Sequence, residues 1–509
     1  MARRVVNIPT PSSGLDTKND TDTIGDTFSP YCLNVDWDQP GLVAQRAGTE
    51  KVADQVSTSN VGKGGFAFNK SSTVSFLVTK FGGTYYQISD PAATTQTAIG
   101  TGFSAGNACF AQFNSNLYAA TYADVVQVWD GVVAAFTSAA LAYNFRYIFV
   151  FGGRFWGVGD DFPNRARFSG VGAMTFAAND YIEFETDGYV ITTFRDNNGV
   201  FEIHRGEAGT WSVSPTVSGT PLFLAEKTAV LKGSYTQFSS TKVENSCVYM
   251  APDGIRSSGP LQYYTAGLFG TVISDIINPT FLGLQSNKST LTYATYFNRK
   301  LYMSVPFYSN VYNDAIITEY NGAWSIYTNV FAAQMIEWKG KLYFTDSRKG
   351  QLWRFNTTAK SDDSLPIPFV YQTKYFSLKR PHLIKLLERM IFRLKSDQAT
   401  TIRISISFDF GDFMTVFALD TPVILNNGTP PPEVGSNNLF LGGPLFAPGG
   451  VITGNQATLT YFERQWQYAK EFYFIAFRIE HSNATKTVQM KDFDVVFEDG
   501  SAEDRFNIN

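Results

Sequence analysis

Apolar and polar positions alternate in short runs through most of this chain, and glycine, asparagine and aspartate turns separate the runs. Period-two alternation marks half-buried β-strands, because successive side chains on a strand point to opposite faces. Within this pattern a unit recurs: a small or polar turn, a strand ending in an aromatic residue, a loop, a second strand, and a polar or glycine turn. Seven copies are legible. The first joins 74–79 to 84–88 across Gly82-Gly83, and the second joins 116–121 to 125–129 before Asp130-Gly131. The third pairs 153–158 with 165–168. The fourth reads as a strand over 188–193, a hairpin turn at Asn198-Gly199, a strand over 200–203, and Gly209-Thr210-Trp211. The fifth and weakest holds 246–250, Asp253-Gly254 and 261–264. The sixth has 299–304 and 315–320 before Asn321-Gly322, and the seventh has 340–345 and 351–355 around Lys349-Gly350.

The anchors Phe76, Leu117, Phe155, Val190, Val248, Leu301 and Leu342 are separated by 41, 38, 35, 58, 53 and 41 residues. A period of roughly 40 residues with two clear strands and room for two more is that of a four-stranded propeller blade. One such sheet cannot bury both faces alone; stacking blades radially buries them, and closing the ring removes exposed edges. The expectation is an all-β chain with a β-propeller of about seven blades, with insertions in the two long intervals.

The period breaks at 361–368, which holds Pro366 and Pro368 and reads as a linker. Beyond it, 369–376, 401–408, 471–480 and 487–497 read as strands, whereas 383–392 fits helix or strand. A β-sandwich-like domain follows from these segments. The division is therefore 1–60, an extended polar arm and opening strands; 61–365, the propeller; and 366–509, the C-terminal β domain. Inside the last lies a long loop, 421–458, with Asn426, Asn427, Pro430, Pro431, Pro432, Leu439, Phe440, Pro444 and Phe446. Only Glu433 carries charge between Thr421 and Asn455. A loop of this length within a compact domain is functional or disordered, and these nine residues are the candidates for contacting a channel or partner.

Composition supports a packed globular protein: 44% hydrophobic and 17% charged residues over 509 positions, with 44 Phe and 26 Tyr. The net charge of -4 argues against DNA as a tightly held ligand, which requires clustered Lys and Arg, but not against DNA as a passing neighbour. The three cysteines, Cys32, Cys109 and Cys247, are far apart and read as buried free thiols. Arg3 and Arg4 near the amino terminus have no apolar run behind them, so neither a signal peptide nor a membrane anchor is expected.

Candidate chemistry is sparse. His204, His382 and His481 stand in no metal-binding spacing. Gly62-Lys63-Gly64-Gly65 lacks what a phosphate-binding loop requires downstream and reads as a turn. Asp20-Thr21-Asp22 begins like a calcium loop, but Ile24 takes a ligand's place and Tyr31 stands where the bidentate Glu belongs. The nearest carboxylate pairs, Asp160-Asp161 and Glu183 with Glu185, do not make a glycosidase pair by themselves. Gly209-Thr210-Trp211 is similar to the end of a sialidase Asp-box, but Ala208 stands where that motif has glycine. No catalytic, cofactor or metal site is expected.

Three features together resemble the tail accessory, or packaged-DNA stabilisation, proteins of short-tailed bacteriophages, the tail nozzle proteins. They are the opening pattern Asn34-Val35-Asp36, Pro40-Gly41 and Arg46-Ala47-Gly48; the degenerate blades ending in Trp or Tyr; and the later passage Tyr371–Phe376, Pro381 and Ile404–Asp409. The resemblance implies a homo-oligomeric tube, a hexamer, below the portal and its head–tail adaptor protein. That tube retains the packaged genome, carries tail fibre, spike or needle proteins, and lets double-stranded DNA pass without sequence-specific binding. It implies a location in the virion tail after assembly in the bacterial cytoplasm. Two alternatives stand beside it: a neck or baseplate component of a long-tailed phage, and a carbohydrate-binding or glycan-hydrolysing propeller. Exposed Trp or Tyr lining a pocket at the blade tops would favour the last.

Overall fold

The computed structural model describes residues 3–10, 12–38, 42–121, 123–159, 161–216, 222–244, 246–259, 272–282, 290–396, 402–419 and 460–499. The chain is all-β and divides into two compact units. One comprises Thr49–Asn321 and Asn329–Phe355; the other comprises Met1–Gly48, Gly322–Thr328 and Asn356–Asn509.

The first unit is a seven-bladed propeller. The first strands of the blades are Gly62–Asn69, Cys109–Phe113, Tyr147–Phe151, Thr193–Asn197, Ser240–Val243, Tyr293–Phe297 and Ala332–Trp338. Each contacts the first strand of the next blade, and the seventh contacts the first, so these strands line a closed ring. The turn into the second strand of a blade is tight and repeated. Asn114-Ser115, Gly152-Gly153, Asn198-Gly199, Asn298-Arg299 and Lys339-Gly340 all have positive φ at both residues. Paired positive φ is the two-residue hairpin geometry that matches strand twist, and it accounts for the recurring Asn and Gly.

The ring is closed by strand exchange. Gly48–Ser57, from the chain's beginning, is the neighbour of Gly350–Asn356, the third strand of the seventh blade. Gln351 donates from Nε2 to the carbonyls of Val52 (3.4 Å) and Ala53 (3.1 Å), and Arg354 pairs with Glu50. Between blades the packing is aromatic. Phe68, Tyr85, Trp129 and Phe136 interlock blades one and two, and Trp156 meets Phe168, Phe201 and Phe223 at 4.5–5.0 Å across blades three and four.

Four expectations are corrected here. In the fourth blade, 188–193 is a lead-in whose Tyr189 is exposed, and the strands are Thr193–Asn197, Val200–His204, Thr210–Pro215 and Phe223–Lys227. Its anchor is Phe201, so the intervals from Phe155 and to Val248 become 46 and 47 residues and that blade needs no insertion. In the fifth blade the third strand is Gly254–Ser257, while 261–264 lies outside the described residues. Gly62–Asn69 is a strand, not a turn. Its glycines serve close approach: a Cβ on Gly65 would lie 2.4 Å from the Ile336 side chain, and one on Gly64 2.8 Å from Phe110. Finally, the amino-terminal segment, expected as an extended arm, is paired and partly buried. Arg3–Ile8 pairs antiparallel with 493–498, and Leu15 and Ile24 are buried.

The second unit contains two facing sheets, as expected of a sandwich. One orders Thr460–Phe472, Lys385–Ser396, Val488–Asp499, Val43–Gln45 and Val35–Asp36, with Arg3–Ile8 also on Val488–Asp499. The other orders Met414–Leu419, Ile402–Phe408, Ile475–His481, Phe369–Gln372 and Tyr31–Leu33. Phe477 of the second sheet packs on Phe493 (4.7 Å) and Phe392 (6.2 Å) of the first. The ambiguous 383–392 is strand. A bulge between Leu387 and Arg389 places buried Leu387 and Met390 three residues apart, a spacing that imitates a helix. The expected linker 361–368 is a two-strand turn, Ser361–Asp362 against Leu365–Pro366, ending at buried Ile367. Among the described residues, no helix is long and apolar enough to cross a membrane.

Candidate functional site: the axis of the ring

The nine loop residues Asn426, Asn427, Pro430, Pro431, Pro432, Leu439, Phe440, Pro444 and Phe446 lie outside the described residues. The described structure directs attention to the ring's axis instead. Just before the first strand of the fifth blade, the short 3-10 helix Gln237–Ser239 carries Phe238 inward. Its ring lies 6.1 Å from Tyr147 of blade three and 6.3 Å from Tyr293 of blade six, and it packs on a cluster containing Cys109 of blade two. Phe238, half-buried, thus bridges side chains from the first strands of blades three and six.

The turn that holds it is pinned on both sides. Thr236 and Ser239 form a reciprocal capping box. The Gln237 amide accepts from Phe194 N–H (2.8 Å) and donates to Phe194 C=O (3.2 Å), closing a two-way bond with blade four. Arg195 donates to Gln237 C=O, to Ser240 C=O (2.6 Å) and to Ser240 Oγ (2.6 Å). All these acceptors are neutral, and burial draws the Arg195 guanidinium below its ordinary range.

A pocket of about 60 Å³ has Phe238 in its lining. Lys63, Asn107, Tyr293, Tyr312, Asn313 and Gln334 also line it. Burial lowers the pKa of Lys63. Ligand pockets commonly measure about 300–1,000 Å³, so this one admits an edge of a molecule rather than a whole one.

The chemistry-bearing residues named from sequence are scattered. Glu183 is exposed and bonded to Arg165 (3.0 Å), and Glu185 and Asp161 are exposed; Asp160 lies outside the described residues. His204 is fully buried, accepting at Nδ1 from Ser234 N–H (3.1 Å), with Nε2 3.5 Å from Glu202. That pair is sealed between blades, where Tyr249 packs edge-on to the imidazole at 4.7 Å, and sequence spacing did not single out Glu202. His481 is buried and its pKa is lowered to about 4 by desolvation. Cys32, Cys109 and Cys247 are buried and free, as expected, and burial raises their thiols to about 12, 11 and 12. Asp20 caps a turn through its carbonyl, and Ile24 is core. No group of three or more His, Cys, Asp or Glu able to hold a metal occurs among the described residues.

The opening pattern has a structural explanation inside the second unit. Arg46, 1% exposed, spends all five N–H donors: Nε on Asn34 Oδ1, Nη1 on Ala47 C=O and Asp362 Oδ1, Nη2 on Thr328 C=O and Asp362 Oδ2. Asn34, at φ +56°, also donates to Thr328 Oγ1 and Pro368 C=O. A Cβ on Gly48 would fall 2.1 Å from Ser361 O, so only glycine fits.

No protein-family model matches the chain, and no curated protein matches it. Among solved structures it is similar to BamB from Moraxella catarrhalis, at 11% identity over 70% of this chain and 98% of that one, with a TM-score of 0.35. It is similar to the β-propeller domain of Cps50 (Swd1) from Myceliophteria thermophila, at 11% identity over 60% and 99%, TM-score 0.40. The WD40 propeller domain of Doa1 shows 9% identity over 61% and 97%, also with a TM-score of 0.40. These are likenesses of fold class, and they bear on no activity, ligand or partner.

Proposed function

We propose that the chain is a structural subunit of the tail of a short-tailed bacteriophage, a nozzle-type protein that assembles with copies of itself around a channel for DNA. The observation that carries this reading is the Arg46 clamp. The residues that bear the resemblance, Asn34, Arg46 and Gly48, form one interdependent buried set in which each has a stated steric or hydrogen-bonding reason. A pattern with that much structural constraint is the kind a family retains while the rest of its sequence diverges.

The ring's own axis is not the conduit in this reading. The lumen lies between copies, six in a closed ring, with the adaptor at one end and fibre, spike or needle proteins on the outside. A net charge of -4 suits a wall that DNA slides past without being gripped. Negative-stain microscopy and native mass spectrometry of the purified full chain, alone and with the adaptor, test the proposal. Six-fold rings with a lumen between subunits are expected. A monomer at every concentration, with and without the adaptor, overturns it.

A further inference from the structure

Buried guanidinium groups in this chain meet a carboxylate: Arg46 meets Asp362, and Arg205 meets Asp187. Arg167, in the third strand of blade three (Arg165–Phe168), is the exception. It is only 8% exposed, and its Nη1 is sealed without a hydrogen-bond partner. Its Nε and Nη2 are not sealed, and no acceptor among the described residues meets them. A buried cation without a counter-ion is costly, and an anion brought to its open edge removes the cost.

The surroundings give that edge a shape. Across the blade Arg167 stands between Gly157 and Tyr181. Phe145 takes the space a side chain on Gly157 would need, since a Cβ there would fall 2.5 Å from its ring. Tyr143, two residues earlier, covers the flat face of the guanidinium, with Cζ of Arg167 3.9 Å from its ring centroid and 5.4 Å from that of Tyr181. Arg165 points to the same face of the strand. Its guanidinium lies over Phe162 (4.1 Å) and Tyr181 (4.7 Å), and its charge is already met by Glu183 (3.0 Å). Phe162, 45% exposed, forms an apolar rim beside it. The result is one uncompensated positive charge in a slot with aromatic walls.

Charge and shape together select the anion. One free cation balances a monoanion, and Glu183 repels a phosphate dianion. The Nε and Nη2 edge of a guanidinium offers two parallel N–H bonds, which match the two oxygens of a carboxylate. A planar carboxylate lies in the guanidinium plane, clear of the Tyr143 ring. A tetrahedral phosphodiester sets ester oxygens above and below that plane, one of them against Tyr143. We propose that Arg167 binds a planar carboxylate on Nε and Nη2, with the apolar group that carries the carboxylate resting on Phe162. The inference does not depend on the tail assignment.

NMR of the full chain labelled in arginine Nε–H tests it, with phenylacetate, the capped dipeptide acetyl-Phe-Asp-amide and dimethyl phosphate as probes. At least one of the two carboxylates should shift the Arg167 signal saturably, with a Kd on the order of millimolar. Tighter binding of phenylacetate identifies a free acid as the ligand, and tighter binding of the dipeptide identifies an acidic side chain of a protein. Arg167→Lys keeps the charge but loses the two-pronged edge, and it should weaken binding by about tenfold with an unchanged circular dichroism spectrum. The second variant, Glu183→Gln, lies on the exposed rim and frees Arg165, so it should tighten binding about threefold. No saturable shift with either carboxylate overturns the proposal. Tighter binding of dimethyl phosphate than of both carboxylates overturns it, as does an affinity unchanged in both variants. None of these results bears on the six-fold ring, which is read by microscopy.

Discussion

The ring and the second unit both bury apolar cores, but they gather them from different distances along the chain. In the ring, neighbouring blades join through interlocked aromatic side chains, and a blade's strands follow one another closely in sequence; the long-range pairing of Gly48–Ser57 with the seventh blade closes it. The second unit is assembled from distant pieces. Arg3 faces Glu498 across a strand pair, Tyr31–Leu33 pairs with Phe369–Gln372, and the buried Arg46 guanidinium gathers Asn34, Thr328 and Asp362. The first design repeats apolar shape complementarity many times; the second adds, to an apolar core between its two sheets, a few buried polar contacts at large sequence separation. Apolar packing is non-directional and tolerates drift in sequence, whereas a buried ion pair requires both partners. The identifiable motif therefore lies in the second unit, and the ring repeats in pattern alone.

This contrast can be broken or sharpened by experiment. Trp156→Ala removes the fully buried indole between blades three and four, and it should cost the ring about 5 kcal/mol, read as a lowered urea midpoint for ring fluorescence. If the second unit loses its transition in step, the two units unfold as one and the contrast has no thermodynamic meaning. Arg46→Ala removes the guanidinium from buried Asp362, Asn34 and Thr328 and should cost about 4 kcal/mol, this time in the second unit. The double variant Arg46→Met with Asp362→Leu should recover most of that loss, since removing both partners is far cheaper than removing one.

Acid separates the units next. Burial lowers His481 of the second unit from an ordinary 6.5 to about 4, so between those values the unfolded chain binds the extra proton. Its contribution to stability is fully present above pH 6.5 and is lost as pH falls towards 4, a change of about 3 kcal/mol. Denaturant titrations from pH 7 to 4 should show that decline, and His481→Gln should flatten it. The smallest effect belongs to Phe238→Ala. The Phe238 ring joins blades three and six but is only half-buried, so its loss should cost less than a fully buried aromatic does, about 2 kcal/mol, read as a lowered urea midpoint.

Much of the ring was legible because a blade is a local object. Strands at 116–120, 154–158, 300–305 and 341–346 and the turn at Asn198-Gly199 follow from alternation and from the positive φ that such turns demand. Misreadings arose where local signals have a second meaning. Gly64 and Gly65 read as a turn because glycine marks turns, but here they let the first strands of three blades approach. Leu387 and Met390 suggested a helix because a bulge shifts strand periodicity by one residue. The candidate site was the least legible. Asn313, Gln334, Lys63 and Phe238 come from four blades and carry no spacing that links them, and the loop singled out from sequence lies outside the described residues.

That the chain is all-β, that it repeats about every 40 residues and that its cysteines are buried and free could be read from residue order, because each follows from local alternation, turn chemistry or polarity. Only the assembled fold reveals that 49–57 completes the last blade, that Arg46 meets Asp362 across 316 residues, and that Phe238 bridges Tyr147 and Tyr293. Such contacts depend on which surfaces are brought together once the blades and sheets have formed, and no local pattern encodes a partner hundreds of residues away.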